Sequence, residues 1–318
     1  MMLIVLYHIA GNIMPNNELS FAEIMAVDCL GRWGILGVDC FIIISTFFLQ
    51  EVKNTNFKKI RTLLIRTYCY IFTFYIIKQI YNPDTGIQYI AKDIFLNLIK
   101  YPLFMNDYWF IWTYLVFLVI IPVLNRIRIS TRIFSISVML LLINCISAKT
   151  TNIGSDVFHF CCVYIASKYL LNNQYDRCCK LSKMVLVTLF LLVAGINILK
   201  DNDLLEVVPL VVIEIWEKLS IGRYGILPFF MALSLFCLFR QIPARSSKVV
   251  NVISSSMLGV YLFHENAYFR LSSKIPTYLM GNSSLTPVEV LFASFLIMFV
   301  IGIVVDKCYQ FCYKRLAE

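Results

Sequence analysis

The chain contains two apolar stretches that each carry one ionisable residue, Leu6-Tyr7-His8-Ile9-Ala10 and Gly37-Val38-Asp39-Cys40-Phe41-Ile42-Ile43-Ile44-Ser45. They lie within the apolar runs 1–14 and 33–50, which we predict to be membrane helices. An ionisable side chain inside a membrane helix is costly, and it is retained mainly where it faces a protein interior or an aqueous cavity with a partner. His8 and Asp39 are therefore candidates for a functional site.

The two runs predict a helical hairpin whose turn lies within residues 15–32. His8 lies six residues before Met14, and Asp39 lies six residues after Trp33. At the rise of an α-helix, each side chain is roughly 9 Å below the same surface. We therefore expect the imidazole and the carboxylate at one depth, with Asp39 orienting His8 as a general base. The alternative for Asp39 is a buried carboxylate that only holds a helix contact.

The composition indicates a polytopic membrane protein. Of the 318 residues, 59% are hydrophobic and only 15% are charged, and the mean hydropathy is +0.76. The net charge of +9 is distributed among alternate loops, so it indicates membrane topology and not nucleic-acid binding. The eleven Cys lie mostly in apolar runs without the spacing of a metal site, which predicts packing roles and no metal. We predict one all-α integral-membrane domain over 1–318.

Ten apolar runs are predicted to be membrane-spanning helices: 1–14, 33–50, 63–81, 109–124, 133–147, 157–171, 184–199, 222–239, 249–268 and 287–311.

The loop charges predict the orientation of these ten spans. Lys and Arg concentrate after the second, fourth, sixth and eighth runs and in the C-terminal tail, while the intervening loops are acidic or mixed. The positive-inside rule then places both termini in the cytoplasm and the chain in the cell (inner) membrane. Two longer segments, 82–107 and 201–221, are expected to cover a site on the outer face. The first run has about fourteen residues where a span needs about 20, so we expect upstream residues to be missing.

Three histidines and one basic cluster are the other candidates for chemistry. His159 is expected to make an interhelical hydrogen bond. For His264, beside Glu265 near the outer end of the ninth run, a catalytic role and a packing role both stay open. The basic cluster Lys58-Lys59-Ile60-Arg61 fits either a topology signal or a clamp for phosphate groups on the cytoplasmic face. These residues alone do not separate an enzyme from a transporter.

Four segments resemble the acyltransferase 3 family, the integral-membrane acyltransferases that modify surface polysaccharides and other exported acceptors. Run 3–8 is similar to the first family helix, which ends its signature on a His, and 37–45 is similar to the family sequence Gly-Val-Asp-Leu-Phe-Phe-Val-Ile-Ser-Gly. Residues 108–115 resemble its Leu-Trp-Phe-Leu segment, and 256–264 resemble its Ser-Tyr-x-Ile-Tyr-Leu-x-His. The four occur in the family's order over nearly the whole chain.

The chain departs from the family pattern at three places. The family's basic residue eleven positions before the first-helix His would precede Met1. Its Arg-x-x-Arg is represented only by 58–61, and Thr46 replaces its usual Gly.

The resemblance implies an O-acyltransferase. It implies transfer of an acyl group, usually acetyl, from acetyl-CoA or another acyl-CoA in the cytoplasm to a hydroxyl of an extracytoplasmic glycan or lipid-linked sugar. Lys58, Lys59 and Arg61 would hold the donor phosphates, His8 would relay or activate, and His264 would meet the acceptor. The competing hypothesis is a transporter or flippase of a polysaccharide precursor. It has little support, since the chain shows no internal repeat and no paired broken helices.

Overall fold

The computed structural model describes residues 1–14, 19–81, 92, 108–147, 152–201, 208–243, 245–266 and 269–317. Within these ranges the chain is helical and contains no strand. In chain order the helices are α1 (Met2–Ile13), α2 (Phe21–Gly31), α3 (Gly34–Leu49), α4 (Phe57–Tyr81), α5 (Trp109–Arg126), α6 (Thr131–Ser147), α7 (Ile153–Asn173), α8 (Tyr175–Asp201), α9 (Leu210–Ser220), α10 (Ile226–Gln241), α11 (Lys248–His264), α12 (Leu271–Asn282) and α13 (Pro287–Ala317).

Each of the ten predicted runs coincides with one of these helices, and the described residues contain three further helices between them, α2, α9 and α12. The short helices were missed because their apolar residues are interrupted by polar ones and do not form a run of spanning length. The predicted segment 201–221 contains α9. The predicted segment 82–107 lies outside the described residues except for Lys92.

Five stretches of the described chain are long and apolar enough to cross a membrane: Phe21–Leu49, Phe57–Tyr81, Trp109–Arg126, Tyr175–Asn197 and Pro287–Cys312. Helices α1, α6 and α10 are apolar but shorter. Helix α8 exposes Met184, Val187 and Leu191, as expected for side chains that contact lipid. The chain is therefore a membrane protein. The count of ten spans and the cytoplasmic termini remain predictions.

Contacts at the ends of the helices show that alternate helices run in the same direction. Asn125, near the end of α5, donates hydrogen bonds of 2.8 Å to the carbonyls of Leu49 and Val52 just at and after the end of α3. Its side-chain oxygen accepts a 2.8 Å hydrogen bond from Lys168 near the end of α7. The C-terminal ends of α3, α5 and α7 therefore lie together, as an alternating up-and-down bundle requires.

Three glycines set the packing of α1 against α2 and α3. A Cβ added to Gly31 would meet Ala10, one added to Gly34 would meet Tyr7, and one added to Gly37 would meet Ile4 and Leu3. The three glycines are three residues apart, and so are the residues of α1 that they face. Residues three apart are neighbours on one face of a helix, so one face of α1 packs against the glycines. Small residues at such positions let two membrane helices approach closely.

This register corrects the expected depth of His8 and Asp39. With Gly34 opposite Tyr7, the residue opposite His8 is Trp33, and the residue opposite Asp39 is Met2. The two side chains are thus six residues apart along the pair, or about 9 Å. The expectation of equal depth was wrong because it assumed that residues 14 and 33 lie at the same membrane surface. In the structure, α1 extends past the start of α3 and packs against α2 as well, so residue 14 does not lie level with residue 33.

A buried carboxylate joins α4 to α13. Asp306 is fully buried and accepts hydrogen bonds from Arg66, from the Tyr70 hydroxyl at 2.8 Å and from Gln310 at 2.6 Å. Gly259 of α11 leaves the space that this carboxylate occupies, since a Cβ there would overlap it. Arg66 is thus a structural cation, distinct from the exposed cluster at the start of α4.

We expect Gly34→Ala to lower the stability of the protein. The new methyl would lie 2.6 Å from Tyr7 Cγ and 2.9 Å from its Cβ, and overpacking of this kind costs about 1–3 kcal/mol. The matched control is Gly195→Ala on α8, where nothing lies within 4 Å of the added Cβ. The control should be neutral or stabilising, because Ala is the better helix former.

The measurement is thermal unfolding of both purified variants in detergent, followed by size-exclusion chromatography. Equal melting temperatures for Gly34→Ala and the unaltered protein would contradict the register described above.

Candidate functional site

The structure pairs Asp39 with His159 and not with His8. The Nε2 atom of His159 is 2.9 Å from Oδ1 of Asp39, and the two side chains are 3% and 0% exposed. The predicted His8–Asp39 pair is therefore wrong in its partner. The expected interhelical hydrogen bond of His159 is confirmed, and it joins α7 to α3.

Asp39 faces α7 because of its position on α3. Gly34 and Gly37 occupy the face of α3 that contacts α1, whereas Asp39 and Thr46 lie two turns apart on another face. Thr46 accepts a 3.0 Å hydrogen bond from Ser167 of α7, so the same face of α3 meets α7 at two levels. Asp39 thus belongs to the contact between these two helices.

A second buried ion pair lies one turn before His159 on α7. Asp156 is 2% exposed and accepts two hydrogen bonds from Arg223, from Nε at 2.9 Å and from an Nη at 2.7 Å. The Tyr224 hydroxyl donates to the same carboxylate at 2.9 Å, and the Arg223 guanidinium lies 3.9 Å from the centre of the Trp109 ring. This arrangement satisfies the Asp156 carboxylate and indicates a structural role for it, whereas Oδ2 of Asp39 and Nδ1 of His159 are buried without a hydrogen-bond partner among the described residues.

His8 instead meets residues at the end of α11. Its Nδ1 atom is 3.3 Å from Oε1 of Glu265, and its ring centre is 5.5 Å from that of His264 in an edge-to-face arrangement. Residues from the first helix and from the last third of the chain thus form one cluster, defined here as the His8–His264–Glu265 cluster. His8 is 29% exposed, whereas His264 is 0% exposed.

The hydrogen bonds of His264 determine its tautomer. Its Nδ1 atom is 3.1 Å from the carbonyl oxygen of Val260. Because a carbonyl oxygen only accepts, Nδ1 carries the hydrogen and Nε2 is left with a lone pair. That buried Nε2 has no hydrogen-bond partner in the described part of the chain; Glu265 Oε1, at 3.6 Å, is beyond hydrogen-bond range.

The same reasoning applies to His8. The Glu265 carboxylate favours a hydrogen on the Nδ1 atom of His8, which leaves Nε2 of His8 able to accept a proton. A carboxylate that orients an imidazole in this way is the arrangement expected behind a general base. Glu265 therefore takes the position that the sequence analysis assigned to Asp39.

The end of α11 is fixed by residues outside the cluster. The buried Tyr108 hydroxyl donates a 3.0 Å hydrogen bond to the carbonyl of Leu262, one of the last carbonyls of the helix, and accepts a 3.2 Å bond from Asn266. The ring of Tyr261 packs edge-to-face on His264, with centres 5.7 Å apart. These contacts satisfy the end of the helix and hold Glu265 and His264 in place.

His8 also lines a pocket of about 380 Å³ between α1 and the end of α2. Polar groups at its wall include Asn12 and the buried ion pair of Asp28 with Arg32. Through this pocket the His8 side chain is accessible to a small polar molecule.

The basic residues Lys58, Lys59 and Arg61 are exposed on the first turns of α4, and none of them forms a salt bridge among the described residues. They are at the same end of the bundle as a pocket of about 700 Å³ whose lining includes Lys53 and Arg126. The arrangement keeps these cations available to a phosphate group.

The sequence analysis missed Glu265 as a member of the site. Its only signal was adjacency to His264 near the outer end of the ninth run. It also missed that His159 is the partner of Asp39, since the two are 120 positions apart. The pairing of distant residues depends on which helices are neighbours, and no spacing in the sequence encodes it.

We predict that Asp39 is coupled to His159 and not to His8. Asp39→Ala and His159→Ala should each lower the melting temperature of the detergent-solubilised protein. The double variant should be less destabilised than the sum, by about 0.5 kcal/mol or more, because residues in direct contact couple. Asp39→Ala with His8→Ala serves as the control, and it should be additive. Stronger coupling of Asp39 to His8 than to His159 would reverse the assignment.

Comparison with known proteins gives a family match. The family model of the acyltransferase domain of the acyltransferase 3 type matches residues 1–306, which includes α1 to α12 and most of α13. Searches of the curated proteins and of the solved structures find no match. A match over nearly the whole chain shows the family: this membrane protein belongs to the acyltransferase 3 family.

Proposed function

We propose that the protein is an O-acyltransferase that uses the His8–His264–Glu265 cluster to acylate a hydroxyl group. The donor is acetyl-CoA or another acyl-CoA on the cytoplasmic face. The acceptor is an extracytoplasmic glycan or lipid-linked sugar at the cell (inner) membrane.

One observation carries this proposal. Two histidines from opposite ends of a membrane acyltransferase meet around one carboxylate, with ring centres 5.5 Å apart and an imidazole nitrogen 3.3 Å from the carboxylate oxygen. Ionisable groups inside a membrane bundle are costly and mark functional sites by default. The pocket at His8 supports the proposal further, because Asn12, Asp28 and Arg32 in its wall offer polar groups to the hydroxyl groups of a sugar.

The reaction follows from the tautomers. The Nε2 atom of His8 accepts the proton of the acceptor hydroxyl, and that oxygen attacks the carbonyl carbon of the thioester. The new C–O bond forms as the C–S bond breaks, and the thiolate of coenzyme A leaves and takes up the proton that His8 had accepted. The Glu265 carboxylate and the lone pair of His264 Nε2 both face His8, so both stabilise the positive charge that develops on its ring.

The donor has to reach His8 from the other end of the bundle. Helix α3 has 16 residues and runs from the level of His8 towards the loop that precedes Lys58, a length of roughly 24 Å. In the proposal, Lys58, Lys59 and Arg61 bind the phosphates of coenzyme A, and its long pantetheine arm extends into the bundle. Charge-assisted hydrogen bonds from such cations are the usual means of holding phosphate.

The function is tested by measuring alkali-labile acetyl groups, by mass, in surface polysaccharide from cells with and without the protein. Loss of ester-linked acetyl in its absence supports the proposal. Intact acetylation with failed export of a glycan precursor would favour the transporter or flippase.

We expect His8→Ala to lower acyl transfer by at least about 100-fold while the protein still accumulates in the membrane, because a positioned general base contributes about 10²–10⁴-fold. Glu265→Gln keeps the shape but removes the charge, so kcat should fall strongly as well. The double variant should be little worse than His8→Ala alone, since residues that act as one unit are non-additive.

The matched control is Glu214→Gln, which removes an exposed carboxylate paired with Lys218 on α9. It should leave transfer unchanged. An active His8→Ala protein would return the cluster to a packing role.

A further inference from the structure

We propose that His8, His264 and Glu265 bind one Zn²⁺ ion, and that the bound ion inhibits acyl transfer. The inhibitory part rests on the proposed function, whereas the binding part does not. The three side chains offer two imidazole nitrogens and one carboxylate oxygen, all within 4.8 Å of one another. The sequence predicted no metal site, because these ligands come from α1 and from the end of α11 and form no local motif.

The distances are close to those of a tetrahedral zinc site. Nδ1 of His8 lies 3.3 Å from Oε1 of Glu265, and Nε2 of His264 lies 3.6 Å from the same oxygen. Metal–ligand bonds of about 2.0–2.2 Å at tetrahedral angles separate neighbouring ligand atoms by about 3.3–3.6 Å. Two of the three separations therefore already match, and the ligand nitrogens of the two histidines lie within 4.8 Å of each other.

His264 is prepared as a ligand. Its Nδ1 atom lies 3.1 Å from the Val260 carbonyl, the backbone bond that metal-ligating histidines commonly make with their other ring nitrogen. Its Nε2 atom is buried, points into the cluster and has no hydrogen-bond partner within the described residues. A buried lone pair without a donor is costly, and a metal ion would satisfy it.

The cluster also leaves a coordination position and an access route. His8 is 29% exposed and opens to the pocket of about 380 Å³, so an ion can arrive from water and keep a water molecule as its fourth ligand. Two histidines, one carboxylate and one open position form a ligand set that zinc accepts.

Zinc and the proposed reaction exclude each other. When Nδ1 of His8 binds the metal, the hydrogen of the neutral ring moves to Nε2, which then cannot accept a proton from the acceptor hydroxyl. Glu265, as a ligand, no longer orients the ring for catalysis. Inhibition thus follows from the same atoms that the reaction uses.

The binding test uses the full chain in lipid nanodiscs, after treatment with a chelator. Cys308 and Cys312 are exposed four positions apart on α13 and could bind zinc themselves, so the measurement is made in a Cys308→Ser, Cys312→Ser background. Zn²⁺ is titrated in competition with a chromophoric chelator. We expect one ion per chain, and a loss of affinity of at least about tenfold in His264→Gln and in Glu265→Gln. The control Glu214→Gln should bind as the background protein does.

A second measurement avoids the risk that a variant fails to fold. Diethyl pyrocarbonate modifies accessible imidazoles, and His8 is 29% exposed, whereas His159 and His264 are 3% and 0% exposed. In the unaltered protein, Zn²⁺ should protect His8 from modification, as mapped by mass spectrometry. Unchanged zinc affinity in both cluster variants, or modification of His8 at saturating zinc, would overturn the site.

The inhibitory part is read from acyl transfer with added Zn²⁺ and with chelator. Reversible loss of transfer at the concentrations that fill the site supports it, and full transfer at saturating zinc overturns it. If no transfer occurs even with chelator, the proposed function has failed. The zinc site is then decided by the titration and the protection experiment alone.

Discussion

The close approach of α1 to α2 and α3 is the contact on which the other features depend. It places Gly31, Gly34 and Gly37 opposite Ala10, Tyr7 and Ile4, and an added Cβ at Gly31 or Gly34 would overlap α1. The contact fixes how far α1 slides along its neighbours. It thereby places His8 at the level of Trp33, near the end of the bundle where α11 ends, and leaves Asp39 deeper on a different face of α3.

Buried charged pairs then determine which of the remaining helices are neighbours. Asp39 with His159 joins α3 to α7, Asp306 with Arg66 joins α13 to α4, and Asp156 with Arg223 joins α7 to the connection between α9 and α10. Such pairs add little net stability, because desolvation offsets their attraction, but removing one partner costs about 3–5 kcal/mol. In an apolar bundle, where hydrocarbon contacts discriminate poorly, this penalty selects the correct helix partner.

The His8–His264–Glu265 cluster differs from the Asp306 and Asp156 pairs in its hydrogen bonding, although Oδ2 of Asp39 and Nδ1 of His159 are also buried without a partner among the described residues. The carboxylates of Asp306 and Asp156 are bonded by several donors, whereas the Nε2 atom of His264 has a lone pair without a donor in the described part of the molecule. His8 is partly exposed to a pocket. Unused acceptor capacity next to an accessible imidazole is what a proton-transfer site needs, and it is also what a metal ion would use.

The sequence by itself determined the class of the protein and the ten apolar helices, and it identified His8 and His264 as candidate site residues. These follow from local properties: hydropathy over the length of a span, loop charge and an isolated polar residue in an apolar run. The tertiary structure alone decided the partners, replacing Asp39 by Glu265 beside His8 and giving Asp39 to His159. A hydropathy pattern predicts where a helix lies along the chain, but not how far it slides against its neighbour or which face it turns. Those two quantities are set by the volume of side chains such as Gly34 and Tyr7 at contacts between distant parts of the sequence.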